Sequence, residues 1–351
     1  MGDETWRSLP KLMSQRTQEI LAEQLAGLAD RQGRPFSIVL HGGEPLLLGE
    51  LRLSTLFTAL RQKLGSEFGI SVQTNGVLIT DKIIDVLEKY GIRVSISLDG
   101  PPTLHDTRRP DLRGRPTHAR VLQGISKLLA RPASVSLFSG LLAVVDPYSD
   151  PDNVYRFFKE VGAPSVDFLY RDGNHSKLPY GKDSVDSDIY GRWMAKILDL
   201  YIADPQPMRI RILDDIIKLL LGGAGMKEGI GLTDFGILVI DTDGSIRKND
   251  TLKSSPLGDT FNANWNLNNC SLSDIATSDE FRTYHIAQKP SSAICANCSL
   301  LRVCGGGMVT HRFKEGRGYE NPTVFCADQK FLIERVFRHL SRYNLVEARV
   351  A

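Results

Sequence analysis

The amino-acid sequence predicts an α/β protein built on a parallel sheet, followed by a second, smaller domain. Short runs of apolar, β-prone residues alternate with helical stretches over the first half of the chain, which is the pattern of a parallel sheet covered by helices. The alternation stops near residue 178, and all five cysteines lie at or beyond position 270. We therefore predict a sheet domain over 1–178, a helical bridge over 179–232 and a small domain over 233–351.

Composition and charge exclude several classes of protein. The chain has 351 residues, 42% of them hydrophobic, so it can bury a large core. Its 43 basic and 41 acidic residues are nearly balanced and form no basic patch interleaved with aromatics, so nucleic acid is not an expected partner. No apolar run is long enough for a membrane span, and the first residues lack an export signal. We expect a cytoplasmic protein with no membrane partner.

The sheet domain is predicted element by element from apolar patterning and helix caps. Ser14 and Thr80 are suited to begin helices, and Gly33 is suited to end one. From residue 36 onward the pattern gives five strands in the barrel. The predicted strands are 36–40, 69–74, 92–98, 135–144 and 165–170, and the predicted helices are 14–31, 51–64, 80–90, 117–130 and 151–162.

The first strand ends in the segment His41-Gly42-Gly43-Glu44-Pro45. Loops at the carboxyl ends of parallel strands are where α/β barrels hold their ligands. Two glycines let a ligand approach the backbone, and a following carboxylate can receive an ammonium group, so the segment suits an amino-acid-like cofactor. A Gly-Gly turn with a solvated glutamate is the alternative interpretation.

The next two strands also end in polar residues. One runs into Gln73-Thr74-Asn75-Gly76 and the other into Ser97-Leu98-Asp99-Gly100. Asn75, Ser97 and Asp99 carry groups that hydrogen-bond a ribose or another polyol. Asn-Gly and Asp-Gly are also ordinary turn dipeptides, so each site alone has a purely structural explanation. Three consecutive strands that end in this way favour a binding site.

Beyond residue 178 the pattern changes to helices and then to a hairpin. Ile189, Trp193, Ile197 and Tyr201 mark one helix, and a shorter one is predicted over 213–221. The segments 237–240 and 245–248 flank an Asp-Gly turn and predict a β-hairpin. The chain closes with an amphipathic helix near 327–342.

Four cysteines in the small domain have the spacing of a metal site. Cys295-x2-Cys298-x5-Cys304 is followed, after 21 residues, by Cys326. Four thiolates complete either one tetrahedral zinc site or the corners of a 4Fe-4S cluster, and the spacing does not decide between them. The glycines that follow Cys304 let the backbone approach closely, as amide hydrogen bonds to sulfur require. Cys270 has no close partner and is interpreted as an ordinary residue.

In their order along the chain, these motifs resemble those of radical S-adenosylmethionine (radical SAM) enzymes with a SPASM-type auxiliary domain. The finer resemblance is to FxsB-type peptide maturases, which join an aromatic side chain to a nearby residue in a cyclophane. It is carried by Trp6-Arg7-x3-Lys11-Leu-Met-Ser14, Gly231-Leu232, Asp241-Thr-Asp-Gly244, Val303-Cys-Gly-Gly-Gly307 and Asn321-Pro-x3-Cys326-Ala-Asp328. The implied fold is a partial (β/α)6 TIM-like barrel plus a small α+β iron-sulfur domain.

The resemblance also implies site residues and cofactors. Gly42, Gly43 and Glu44 would hold the amino group of S-adenosylmethionine, and Asn75, Ser97 and Asp99 would face the rest of it, including the ribose. Arg109 is a weaker candidate, as a partner for the carboxylate. The four clustered cysteines match the ligands of one auxiliary 4Fe-4S cluster, which favours iron-sulfur over zinc. A precursor peptide and a reductant such as flavodoxin or ferredoxin are the implied partners.

The sequence departs from the family pattern in two places. Asn249 and Met308 occupy positions of cysteines that hold a second auxiliary cluster, so that cluster is expected to be absent. The Cys-x3-Cys-x2-Cys motif of the cofactor-cleaving cluster, and the strand before it, do not occur in this sequence. We therefore expect a barrel that lacks its first strand, a native start roughly 25 to 40 residues upstream, and no activity from this chain alone.

The resemblance predicts a peptide maturase that installs a carbon-carbon crosslink. Asp250 follows Asn249 and is the predicted catalytic base, because in sulfatase maturases the aspartate after the corresponding cysteine accepts a proton. A turn carboxylate is its structural alternative. Two other functions stay open: another radical SAM protein modifier, such as a sulfatase maturase that makes formylglycine, and a non-catalytic peptide-binding or partner protein with a structural metal site.

Overall fold

The predicted sheet is present as six parallel strands in chain order, β1 to β6, with β1 at one edge. The structure, a computed structural model, describes residues 7–233, 235–256 and 258–346. Trp6, which belongs to the N-terminal motif, lies outside the described residues. The strands are β1 Ser37–Leu40, β2 Gly69–Thr74, β3 Arg93–Ser97, β4 Phe138–Val144, β5 Ser165–Leu169 and β6 Arg209–Ile210.

Helices follow the strands and cover the sheet. The first seven are α1 Gln15–Gln32, α2 Gly49–Leu64, α3 Asp81–Tyr90, α4 Pro102–Arg108, α5 His118–Leu129, α6 Ser134–Leu137 and α7 Pro151–Val161. The predicted caps are confirmed: Ser14 accepts from the Thr17 N–H at 3.0 Å, Thr80 accepts from Ile83, and Gly33 ends α1 in the left-handed conformation.

The register of the sheet separates an apolar face from a polar one. Ile96, Leu141, Val166 and Ile210 are paired in a row across β3 to β6, and all are buried. Because side chains alternate along a strand, the neighbouring row lies on the opposite face. That row pairs Ser97 with Leu142 and Leu142 with Asp167. The helix-facing side of the sheet therefore carries the core, and the other side carries polar groups.

Two features of the sheet differ from the prediction. The strand expected over 135–144 begins at Phe138, because residues 134–137 form one helical turn, α6. A sixth strand, β6, was not predicted, and the expected count of five strands is one short. It has two residues, too few to show a strand period, and is defined by its pairing with Ser165 and Val166.

The second half of the chain contains helices and one small antiparallel sheet. The helices are α8 Ile189–Ala203, α9 Arg211–Leu220, α10 Leu272–Thr277, α11 Asp279–Ala287, α12 Ala293–Ala296, α13 Leu301–Cys304 and α14 Cys326–Ser341. The predicted hairpin is confirmed as β7 Val239–Ile240 paired with β8 Ile246–Arg247. In the described part of the chain, none of the helices has the length and hydropathy needed to span a membrane.

The first helix is bonded directly to the small domain. The amide of Gln24 donates to the carbonyls of Leu267 and Cys270, both at 2.9 Å, and accepts from the Leu272 N–H at 2.7 Å. Arg31 on the same helix pairs with Asp274 at 3.1 Å. These contacts join residues about 240 positions apart and fix the small domain against the start of the barrel.

A buried ion pair connects the last helix to the loop before α8. Lys182 donates to the Asp328 carboxylate, and both side chains are fully buried. Asp328 also accepts from the Gly191 N–H at 2.9 Å. A Cβ on Gly191 would lie 2.5 Å from the Asp328 carbonyl, so α8 and α14 touch at this glycine. The pair therefore compensates a charge inside a tightly packed helix contact.

We predict that Lys182→Met lowers the free energy of unfolding by about 3 kcal/mol or more, because it leaves the Asp328 carboxylate buried without its cation. Urea titration followed by circular dichroism measures the change. Arg192→Met is the control, since Arg192 is mostly exposed in its pair with Asp188 and such pairs contribute about 0.5 kcal/mol. Equal, small losses in the two variants would contradict the prediction.

Candidate functional site

Glu44 joins the first two strand ends at the mouth of the barrel. Its Oε1 accepts from the Leu46 N–H at 3.0 Å and from the Thr74 hydroxyl at 2.6 Å, and its Oε2 accepts from the Asn75 N–H at 2.8 Å. The three donors come from the loop after β1 and from the end of β2. The carboxylate is therefore held in one orientation, which the sequence alone did not indicate.

The two glycines before Glu44 border open space. Gly42 has a φ of +85°, in the left-handed region that disfavours other residues. A Cβ on Gly42 or Gly43 would meet no atom within 4 Å. The side chains are absent although there is room for them in the protein, so the backbone of this loop is accessible to a bound molecule.

Asn75 and Ser97 also lie at strand ends on this side of the sheet. Asn75 Oδ1 accepts from the Val77 N–H at 2.9 Å, and the residue is exposed. Ser97 Oγ accepts from the Gln73 amide at 3.1 Å. Both side chains are oriented by the protein and keep polar atoms available for a ligand. The structure thus brings the loops of Glu44, Asn75 and Ser97 to one mouth.

Asp99 has a different environment from the one expected for a ribose ligand. It is 5% exposed, and Arg109 binds its two oxygens at 2.7 and 3.1 Å. The Val144 N–H donates to Oδ1 at 2.9 Å. Asp99 and Arg109 therefore satisfy each other at the ends of β3 and β4, and their predicted roles toward a cofactor stay predictions.

A buried histidine holds the Asp99 loop. The Asp99 N–H donates to His105 Nδ1 at 3.3 Å, and His105 Nε2 lies 3.0 Å from the Thr117 hydroxyl. Burial lowers the pKa of His105 from its ordinary 6.5 to about 4. The imidazole is therefore neutral at pH 7 and accepts the hydrogen bond from Asp99.

The four clustered thiols lie together in the small domain. Cys295 is in α12, Cys304 ends α13 and Cys326 begins α14, and the charges of Cys295, Cys298 and Cys326 all act on Cys304. Burial raises the pKa of Cys304 to about 12 and also raises the pKa values of Cys295 and Cys326. Among the described His, Cys, Asp and Glu side chains, no three are placed to hold a single metal ion.

Three successive glycines shape the turn after Cys304. Gly305, Gly306 and Gly307 have φ values of +67°, +78° and +68°. A Cβ on Gly305 would lie 1.8 Å from the carbonyl oxygen of Gly231, so no side chain fits there. The turn directs the Gly306 N–H to the sulfur of Cys304, and that thiol donates to Gln329 at 2.9 Å.

The positions of the two missing cluster cysteines lie around Glu228. Asn249 donates its side-chain amide to Glu228 at 2.7 Å, and a Cβ on neighbouring Gly229 would lie 2.7 Å from the Met308 side chain. Glu228 and Met308 line a cavity of about 40 Å³. Burial raises the pKa of Glu228. Sequence reasoning missed Glu228, whose single carboxylate in a loop carries no motif.

Asp250, the predicted base, begins a short 3-10 helix and is exposed. Its charge acts on Glu228 and on Asp172, which follows β5 by three residues. Asp172 is exposed, and its pKa is raised by partial desolvation first and by the charge of Asp250 in addition. Asp250 is therefore close enough to Glu228 and Asp172 for its charge to act on both. The sequence did not indicate Asp172.

Comparison with known proteins relates the barrel to one enzyme superfamily. A family model described as the radical SAM superfamily matches residues 5–158. This part of the chain is therefore similar to that superfamily. Its members use a 4Fe-4S cluster and S-adenosylmethionine, and the mouth formed by Glu44, Asn75 and Ser97 lies within the matched residues.

Several proteins to which this chain is similar are sulfatase-maturating enzymes. The cysteine-type anaerobic sulfatase-maturating enzyme of Clostridium perfringens (strain 13 / Type A) is 23% identical over 333 residues, which cover 92% of this chain and 87% of the relative. The serine-type enzyme of Klebsiella aerogenes is 36% identical over 192 residues, which cover 53% of this chain and 44% of the relative. Structurally, native anSMEcpe with bound AdoMet and Kp18Cys peptide matches with a TM-score of 0.80 at 21% identity, covering 94% of this chain and 90% of that one.

The buried His105 makes stability depend on pH. In the unfolded chain His105 is protonated below about pH 6.5, whereas in the folded chain it is protonated only below about pH 4. The free energy of unfolding therefore falls as the pH falls through this window. We predict that His105→Gln removes up to about 1.4 kcal/mol of this loss per pH unit. Urea unfolding at pH 7, 6 and 5 measures the two slopes.

His311 contributes in the same direction, because burial lowers its pKa to about 3, so the variant should keep part of the pH dependence. If the free energy of unfolding changed with pH equally in wild type and His105→Gln, His105 would not be a source of the pH dependence.

Proposed function

We propose that this chain is the scaffold of a radical SAM enzyme that modifies a side chain of a peptide substrate. The radical SAM match of the barrel supports the chemistry, and the glycine and glutamate loop at its mouth supports the cofactor. The single observation that carries the proposal is that the loops of Glu44, Asn75 and Ser97 converge on accessible backbone at the carboxyl ends of adjacent strands.

The hydrogen-bond donors and acceptors at the mouth of the barrel match the polar groups of S-adenosylmethionine. Open space beside Gly42 and Gly43 admits a ligand, and the carbonyls of that loop, with the Glu44 carboxylate, suit its ammonium group. Asn75 and Ser97 supply polar atoms for the ribose. Asp99, which is bonded to Arg109, supports the neighbouring loop in this proposal and reaches a ligand only if that ion pair rearranges.

The four cysteines fit one auxiliary 4Fe-4S cluster. Cys295, Cys298, Cys304 and Cys326 supply a complete thiolate set, and the Gly306 N–H already bonds one of the sulfurs. Bound there, the cluster would supply one-electron transfer. Amide hydrogen bonds and burial are the means by which proteins adjust such a centre.

The cofactor-cleaving cluster does not fit the residues of this chain. It takes thiolates from the mouth of the barrel, and the first 269 residues contain no cysteine. This sequence by itself is therefore not proposed to cleave S-adenosylmethionine.

The residues at the mouth support a crosslinking reaction in which the chain moves a proton. In a protein that also supplied ligands for the reducing cluster, S-adenosylmethionine would provide hydrogen abstraction from the substrate. Asp250, which is exposed, would accept the proton that an aromatic ring loses after a substrate carbon radical has added to it, and the one electron released would pass to the cluster that the four clustered cysteines would hold. The replacement of cluster cysteines by Asn249 and Met308 supports a product different from formylglycine. The product proposed is therefore a cyclophane crosslink in a precursor peptide.

Formylglycine formation is the second candidate, because several of the relatives are sulfatase-maturating enzymes. The two reactions differ in product: formylglycine carries an aldehyde that reacts with hydrazides, whereas a cyclophane joins two residues and has no aldehyde. In both cases the proposed partners are a peptide and a reductant of the flavodoxin or ferredoxin class, in the cytoplasm.

We predict that anaerobic reconstitution places about four irons and four sulfides on each chain. Cys304→Ala should abolish this, because it removes one of the four proposed ligands, whereas Cys270→Ala should retain it, because the Cys270 thiol donates to the Asn266 carbonyl at 3.3 Å and is not among them. Iron, sulfide and zinc analysis with absorbance near 400 nm, roughly where 4Fe-4S proteins absorb, measures the outcome. Tightly bound zinc without sulfide would contradict the assignment.

Asp250 is tested in a chimera, because this sequence has no cysteines for the reducing cluster. The Cys-x3-Cys-x2-Cys segment of a homologous sulfatase-maturating enzyme is joined to the N-terminus, and a synthetic peptide with aromatic-x-x repeats is the probe. Asp250→Asn should lower crosslinking about 100-fold while 5′-deoxyadenosine still forms. Asp243→Asn, an exposed hairpin carboxylate, is the control.

Tandem mass spectrometry and hydrazide labelling distinguish the products. Crosslinking by Asp250→Asn at the wild-type rate would contradict the role of Asp250, and an aldehyde product would favour the formylglycine alternative.

A further inference from the structure

Arg312 is a buried cation directly behind the cysteine segment. It ends the short 3-10 helix Val309–Arg312 and is 2% exposed. Its guanidinium donates to the carbonyls of Gly306 at 2.9 Å, Gly307 at 2.6 Å and Gly305 at 3.4 Å. Among the residues that the structure describes, no carboxylate forms an ion pair with Arg312.

This arrangement leaves a positive charge that the neutral protein does not compensate. Buried charges in proteins are normally paired, because an isolated one is costly. Burial lowers the pKa of Arg312 to about 10, so the group stays charged at neutral pH. The three carbonyls that its guanidinium binds belong to the residues that directly follow Cys304. A counter-charge for Arg312 would therefore be available when the cysteines bind a cluster as thiolates.

We infer that Arg312 is a positioning residue for the iron-sulfur cluster: it supplies the buried positive charge that compensates the cluster, and it fixes the three-glycine turn whose amide bonds the Cys304 sulfur. The inference rests on the proposed cluster ligands Cys295, Cys298, Cys304 and Cys326. It adds a residue to the site that the cysteine pattern does not include.

The charge has a consequence for electron transfer. A cluster with four thiolate ligands is negative, and reduction by one electron, supplied by a flavodoxin- or ferredoxin-class donor, adds a further negative charge. A nearby buried cation stabilises the reduced form more than the oxidised form. Arg312 should therefore raise the reduction potential of the cluster above the value it would have beside a neutral side chain.

Three variants separate charge from proximity and from loop support. Arg312→Gln removes the charge and keeps a hydrogen-bond donor, Arg312→Lys keeps the charge and loses the planar fork, and Arg302→Gln removes an exposed arginine two residues before Cys304. Each reconstituted protein is analysed for iron and sulfide, and its midpoint potential is measured by redox titration with electron paramagnetic resonance detection.

We expect Arg312→Gln to lower the equilibrium constant for reduction about tenfold, equivalent to about 59 mV for one electron. Arg312→Lys should stay within about threefold of wild type, and Arg302→Gln should be unchanged. If Arg312→Gln takes up no cluster, a loaded Arg312→Lys with the wild-type potential supports the inference.

Wild-type potentials in both Arg312→Gln and Arg302→Gln would overturn it, as would a fall in Arg312→Lys as large as in Arg312→Gln. A wild-type chain that binds no iron and sulfide would instead refute the proposed cluster itself, and with it the inference.

Discussion

A contact between two backbone segments determines how the cysteine site meets the rest of the molecule. The Gly231 N–H donates to the Val303 carbonyl at 2.9 Å, and Gly305 approaches the Gly231 carbonyl too closely for any Cβ. This contact presses the segment after α9 against the turn that follows Cys304. The same segment carries Glu228, which bonds Asn249, so one glycine contact positions the thiols, the turn and the cavity beside them. The buried residues of the barrel and of the cysteine segment accordingly belong to one continuous core.

Local sequence signals predicted the elements that depend on local physics. The apolar run before His41 became β1, Ser14 and Thr80 cap helices, and the Asp-Gly turn joins a hairpin, because each depends on residues within one element. Strand β6 is defined by its pairing with β5, and the helical turn α6 occupies residues that were predicted to begin a strand. Both elements are too short for their hydrophobic pattern to distinguish a helix from a strand.

The candidate site divides in the same way. Glycines, the Glu44 loop and the cysteine spacing are visible in sequence because the chemistry demands those residue types at fixed offsets. The bond between Asp99 and Arg109, the contact of Glu228 with Asn249 and the burial of Arg312 arise from tertiary packing. Glu228 and Arg312 are single charged residues outside any motif, so the sequence did not indicate them. Their hydrogen bonds nevertheless determine which polar atoms of the site already have a protein partner.

We propose that the mouth of the barrel holds S-adenosylmethionine through the Glu44 loop. Calorimetric titration of S-adenosylmethionine into the protein tests this most directly, compared with Glu44→Gln and with Glu50→Gln, a partly exposed glutamate paired with Lys82 at 3.5 Å on the next helix. We expect saturable binding to one site, weakened at least about tenfold in Glu44→Gln because the carboxylate that orders the loop is lost, and unchanged in Glu50→Gln. No binding by wild type, or equal affinity in wild type and Glu44→Gln, would contradict the account.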